Sequence, residues 1–231
     1  MREIIFDTET TGLDPRSGHR LVEIGCIELV DRRETGRSFH AYFHPERDMP
    51  TEAEAVHGLS ITFLADKPRF VERASELIAF LGDAPLVAHN AAFDFGFVNA
   101  ELARAGLAPL DLDRMVCTVQ MARKLHPGSK HSLDALCVRY GIDRSHRIKH
   151  GALLDAELLA HLYIEMTGGR QIGLGLAAHK PGMAATAAVA SAAQSARPYR
   201  EPRPHAPSPA EQTRHVQFVS QLKQPLWHDS V

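Results

Sequence analysis

Ile4-Ile5-Phe6-Asp7-Thr8-Glu9-Thr10-Thr11-Gly12 sets a short apolar run against two acids at alternate positions and then a turn signal. The run Ile4 to Phe6 predicts a buried strand ending at Asp7. Side chains two apart on a strand leave from one face, so Asp7 and Glu9 point the same way. Two carboxylates converging at a sheet end make a hard-oxygen site suited to Mg²⁺ or Mn²⁺. An isolated Asp-x-Glu is ordinarily a solvated strand end. The pair therefore needs partners elsewhere in the chain before it carries chemistry.

Working outward, Leu21 to Leu29 alternates roughly by two and predicts a second strand, and Phe39 to Phe43 a third. Phe70 to Leu81 has apolar residues at helical spacing and stops at Gly82. Leu86-Val87-Ala88 reads as a strand and Phe93 to Ala105 as a helix closed by Gly106. Ser132 to Tyr140 is a shorter helix ending at Gly141. Ala152 to Met166 is an amphipathic helix stopped by Gly168-Gly169. Strands first, then strands and helices interleaved, predict an α/β domain with a mixed sheet.

Asp94 stands in His89-Asn90-Ala91-Ala92-Phe93-Asp94, just after the Leu86–Ala88 strand and at a helix start. An acid there favours the helix dipole. It can equally face the crevice at the strand ends of an α/β sheet. Asp155 falls in the first turns of the helix from Ala152. His150, five residues earlier, cannot share its stripe and belongs to the loop leading in. Taken singly, each of these has a bland explanation. Together, four carboxylates can hold two divalent ions roughly 4 Å apart for in-line phosphodiester displacement. A histidine with near-neutral pKa is suited to take a proton from the attacking water.

The three motifs resemble those of the DEDD exonucleases in their histidine-bearing subgroup. Asp7-Thr8-Glu9-Thr10-Thr11-Gly12 corresponds to the first, His89 to Asp94 to the second, and His150 with Asp155 to the third. Within that family the chain is similar to the proofreading ε subunits of bacterial DNA polymerase III from Arg2 through Gly169. Val56-His57-Gly58, Ser132 to Cys137 and Met166 to Gly169 add to the likeness. The resemblance implies a ribonuclease H-like fold, with a mixed five-stranded sheet flanked by helices and a flexible C-terminal tail. It implies Asp7, Glu9, Asp94 and Asp155 as ligands of two Mg²⁺ or Mn²⁺ ions, and His150 as general base. Glu52 and His57 would contact the terminal nucleotide together with Asp7, Glu9 and Asp155. Glu52 also reads as an ordinary exposed acid, and His57 as a helix-end histidine. Asn90 and Phe93 would line the pocket or support the second motif by capping and packing.

Bulk properties agree with a substrate delivered by others. The chain has 231 residues and a formal charge of −2, with a pI near neutral. Stand-alone nucleic-acid binders carry a basic surplus, so weak unaided binding to DNA is expected. Cys26, Cys117 and Cys137 lie far apart, with no zinc spacing and an odd count. The opening Met1-Arg2-Glu3 has no signal-peptide layout, and no stretch is apolar enough to span a membrane. A reduced cytoplasmic setting is expected. His40, His44, His126 and His131 read as scattered surface or loop residues and receive no role.

The domain expected over 1–169 is followed by an Ala/Pro-rich stretch, 170–210, about half alanine between 177 and 196 and read as a flexible linker. Gln171 to Leu176 resembles the glutamine-plus-hydrophobic peptides that bind the sliding clamp. Gly175 departs from their bulky pattern, and a plain linker start fits equally well. Residues 211–231 regain apolar side chains (Val216, Phe218, Val219, Leu222, Leu226, Trp227). They resemble the segment that docks on the polymerase α subunit, with Trp227 as anchor. Two other readings remain at this level. One is an exoribonuclease with the same catalytic residues. The other is a non-catalytic bridge between clamp and polymerase, which has no need of five intact site residues.

Overall fold

The computed structural model describes residues 1–145, 150–169 and 206–222. They fall into two units, one within 1–177 and one within 178–231. In the first unit the strands are β1 (Arg2–Thr10), β2 (Leu21–Val30), β3 (Arg33–Tyr42), β4 (Leu86–Ala88) and β5 (Met115–Cys117). The helices are α1 (Thr51–His57), α2 (Ile61–Leu64), α3 (Phe70–Leu81), α4 (Ala91–Arg104), α5 (Thr118–Leu125), α6 (Leu133–Tyr140) and α7 (Ala152–Met166). The five strands form one sheet in the order β3-β2-β1-β4-β5. β1 and β2 pair antiparallel, as do β2 and β3, while β4 and β5 run parallel to β1. The expected mixed five-stranded sheet is the one observed.

Alternation along β1 divides the core. Ile4 and Phe6 turn to one face with Ile24, Cys26 and Leu86, where Leu77 of α3 and Phe95 and Val98 of α4 cover them. Ile5 turns to the other with Ile27, Leu29 and Val87, under Leu136 of α6 and Leu159 and Leu162 of α7. Each such fully buried side chain contributes roughly 1.5–3 kcal/mol. The predicted bounds of α3, β4 and α7 match those observed. α7, expected to be amphipathic, buries ten of its fifteen residues, since both the sheet and α6 lean on it. Glu101 of α4 (2% exposed) accepts from Nε and Nη2 of Arg20 at 2.6 and 2.9 Å. That bidentate contact ties α4 to the start of β2.

Three expectations change. β1 does not end at Asp7 but continues to Thr10, because β2 keeps pairing with it through Glu9↔Glu23. β3 begins at Arg33 rather than Phe39; its first half is exposed, so hairpin pairing with β2 rather than burial makes it a strand. The second motif's helix starts at Ala91, two residues before the apolar period suggests. The short elements α2, β5 and α5 were not anticipated, and of α1 only its end at His57 was, all being too brief for a period to stand out. In the second unit, α8 (Pro209–Ser220) is also new. Ser208 accepts from the Glu211 backbone and Glu211 accepts from that of Ser208, with Pro209 at the first helical position. Val216 and Phe218 of α8 are exposed and Val219 is buried. Residues 171–176, Leu226 and Trp227 lie outside the described residues.

Candidate active site

The site arises where β1 outruns its parallel neighbour. β4 pairs with Ile4 and Ile5 and stops at Ala88, while β1 runs on to Thr10. This is the carboxyl end of parallel strands, where open α/β sheets hold ligands. Asp7 and Glu9 continue the row of Ile5, so they lie on the face covered by α7. Thr8 turns to the opposite face and donates from Oγ1 to Oδ1 of Asp94 at 2.7 Å.

Asp94 sits in the first turn of α4 at 2% exposure. Burial pushes its carboxyl up to about 7, against the opposing hydrogen bond from Thr8. No counter-charge faces it among the described residues, and a cation would favour its ionised form. Asn90 caps α4 in the left-handed region (φ 67°) without a side-chain cap bond, so its contribution is the backbone turn. Phe93 lines the pocket.

Asp155 reaches the site because α7 begins against the sheet. Its position depends on Gly25, opposite Asp7 on β2. A Cβ at Gly25 would fall 2.3 Å from the Leu153 backbone and 2.5 Å from that of Ala152. Only a residue without a side chain lets the first turn of α7 approach so closely. Asp155 is 3% exposed, and its Oδ2 lies 3.1 Å from Nδ1 of His150 in the loop before α7. Ligating atoms of Glu9, His150 and Asp155 come within 4.8 Å of one another. This compact set, oxygen-rich and partly buried, fits a hard divalent cation.

Asp7, Glu9, Asp94, His150 and Asp155 all line one cavity of about 260 Å³, with Thr8, His89, Phe93 and Asp134 among its other walls. A second cavity of about 640 Å³ shares Thr8, Glu9 and Phe93 with it and holds Glu52 and His57. Glu52 and His57 therefore stand apart from the carboxylates but beside Glu9. His57 is buried, with Nδ1 accepting from the Leu59 backbone at 3.0 Å. Its Nε2 is buried without a well-formed hydrogen bond among the described residues.

Sequence reasoning missed several contributors. Gly25 sat unremarked within a strand pattern, although an isolated glycine there signals close backbone approach. Thr8 received no role beyond its place in the first motif. His19, packed under Gly12 with Nδ1 at 3.2 Å from Thr11 Oγ1, and Leu13 line the larger cavity and carried no signal.

Residues 4–163 match the RNase_T family, described as Exonuclease. The DNA polymerase III subunit epsilon of Rickettsia felis is 55% identical over 174 residues, covering 74% of this chain and 76% of the relative. The subunit of the same name from Escherichia coli K12 is 46% identical over 179 residues, 73% of this chain and 72% of the relative. Among solved structures, Exonuclease X in complex with 5′ overhanging duplex DNA superposes with TM-score 0.56 at 28% identity, over 71% of this chain and 90% of that one. The nuclease domain of 3′hExo, a DEDDh family member bound to rAMP, shares the fold with TM-score 0.63 at 18% identity, over 72% and 91%. With the motifs gathered at one strand end and these matches along most of its length, the chain belongs to the RNase_T exonuclease family and, within it, to the DNA polymerase III epsilon subunits.

Proposed function

We propose that this chain is the 3′→5′ proofreading exonuclease of a replicative DNA polymerase, removing mismatched 3′-terminal nucleotides as 5′-monophosphates. The observation that carries the reading is the meeting of Asp7, Glu9, Asp94, His150 and Asp155 around one cavity, next to a roomier one able to take a nucleoside. Asp7, Glu9, Asp94 and Asp155 would hold two Mg²⁺ or Mn²⁺ ions. Bound there, the ions supply the Lewis-acid charge for an in-line displacement.

The chain's own groups do the rest. His150, oriented through its Nδ1 by Asp155, takes a proton from the attacking water. The water oxygen bonds to phosphorus as the bond to the 3′-oxygen breaks. Thr8 fixes the rotamer of Asp94. In the larger cavity, His57 and Glu52 line the wall against which the terminal nucleotide would lie. Asp7, Glu9 and Asp155 touch the nucleotide from the metal side. Selection for mismatches follows from fraying, since an unpaired end enters a single-strand site more cheaply.

Near-neutral charge leaves DNA holding to the polymerase. We assign 1–169 to the nuclease, 170–210 to a linker and 211–231 to docking on the polymerase α subunit. Exposed Val216 and Phe218 of α8 support the docking role, and residues 171–176 are the candidate clamp peptide. The test is release of 5′-mononucleotides from 3′-mismatched DNA and from RNA. Activity should need Mg²⁺ or Mn²⁺, stop on chelation, and fall by orders of magnitude in Asp7→Ala. Strong preference for RNA would favour the exoribonuclease reading, and undiminished activity in Asp7→Ala would remove the assigned site.

A further inference from the structure

Glu23 is a buried carboxylate that the chemistry above does not use. It lies on β2 directly opposite Glu9, at 3% exposure, with its side chain on the α7 face like those of Asp7 and Glu9. Like charges directly opposite across a strand pair are destabilising, and a buried carboxylate is costly unless it is bonded. β3 supplies the bonds. Nε2 of His40 lies 2.7 Å from Glu23 Oε1, and the Tyr42 hydroxyl also donates to Glu23. Tyr42 is opposite Glu23 in register and His40 opposite Gly25. The Tyr42 ring is itself held between His40, at 4.8 Å, and Phe63, at 5.1 Å, both edge-on.

This bracing turns the Glu23 carboxylate toward β3, and Glu23 lines neither cavity. It is therefore not placed as a ligand. A glutamine would satisfy the same tyrosine and histidine without the electrostatic penalty. What the glutamate adds is charge, one strand spacing from Glu9.

We propose that Glu23 is a positioning residue of the cation site: a buried charge, braced by His40 and Tyr42, that strengthens divalent-cation binding at Glu9 without coordinating the ion. The inference rests on the metal-site reading given above. A unit charge several ångströms from a divalent ion, in partly buried surroundings, changes its affinity on the order of tenfold or more. Glu23 also bears on His57, where its charge opposes the effect of burial, although its carboxylate lines neither cavity.

The experiment is Mn²⁺ binding to the metal-free full-length chain, followed by electron paramagnetic resonance. Glu23→Gln should bind Mn²⁺ about tenfold more weakly. Its metal-free melting temperature should not fall, and its kcat should return to the parent's at saturating Mn²⁺. Parent-like affinity in Glu23→Gln would overturn the role. Should that variant not fold, His40→Gln decides: it keeps a donor to Glu23 and leaves the charge in place, so its affinity should equal or exceed the parent's. Weaker binding there would show that bracing, not charge, matters and would also overturn the role. Absence of Mn²⁺ binding by the parent would instead bring down the metal-site reading, and this role with it.

Discussion

His57 closes α1 with its ring buried between two demands. Because Nδ1 accepts from the Leu59 backbone, the neutral ring carries its proton on Nε2. Burial holds its pKa below the usual histidine value, with the Thr10 backbone, Glu23 and Glu54 only partly offsetting that. The unfolded chain then binds more protons than the folded one just below the ordinary histidine pKa. The stability at stake is fully present above that value and is lost as pH falls through the depressed folded value. Thermal melts between pH of about 5 and 7 should therefore show a slope that His57→Gln reduces. In the same variant KM for DNA should rise about tenfold with kcat little changed, as expected for a lost binding contact. An unchanged KM would leave His57 as a structural residue. The sequence offered His57 by resemblance alone; its tautomer was illegible, because a backbone donor two residues on fixes it.

α7 carries Asp155 to the site only because β2 has no side chain where that helix begins. Gly25→Ala places a methyl against the Leu153 and Ala152 backbones, and backbone cannot rotate away as a side chain can. Overpacking of this kind costs about 1–3 kcal/mol. The larger effect should be on chemistry, since a shift near 1 Å at a catalytic group costs about 10²-fold. Gly25→Ala should therefore lose about 10²-fold in kcat with a modest fall in melting temperature, while Gly36→Ala, strained at φ 79° but with nothing near its Cβ, should lower the melting temperature and keep its kcat. Equal kcat in the two would show that α7 tolerates displacement. The helix itself was readable from apolar spacing between Ala152 and Gly168. Its seat on the sheet was not, because the residue that admits it is 127 positions earlier in the chain, counted from Ala152 to Gly25.

At the scale of the whole molecule, a nuclease unit and a separate C-terminal unit share one chain. A chain ending at Gly169 should retain exonuclease activity on single-stranded DNA within about twofold, since the site and the residues that hold it, Thr8, Gly25 and Glu23, lie before that point. It should no longer co-purify with a polymerase α subunit, and undiminished co-purification would refute the docking role given to 211–231. By itself the sequence determined the three motifs, the α/β class and the helices and strands long enough to show a period, because local pattern and turn residues act over short separations. Only the tertiary structure decided that β1 runs on past Asp7, that Thr8 reaches Asp94 from the opposite face, and that Gly25 admits α7. It also placed Glu23 beside Glu9. These depend on strand register and on contacts between distant segments, and neither leaves a period in the sequence to be read.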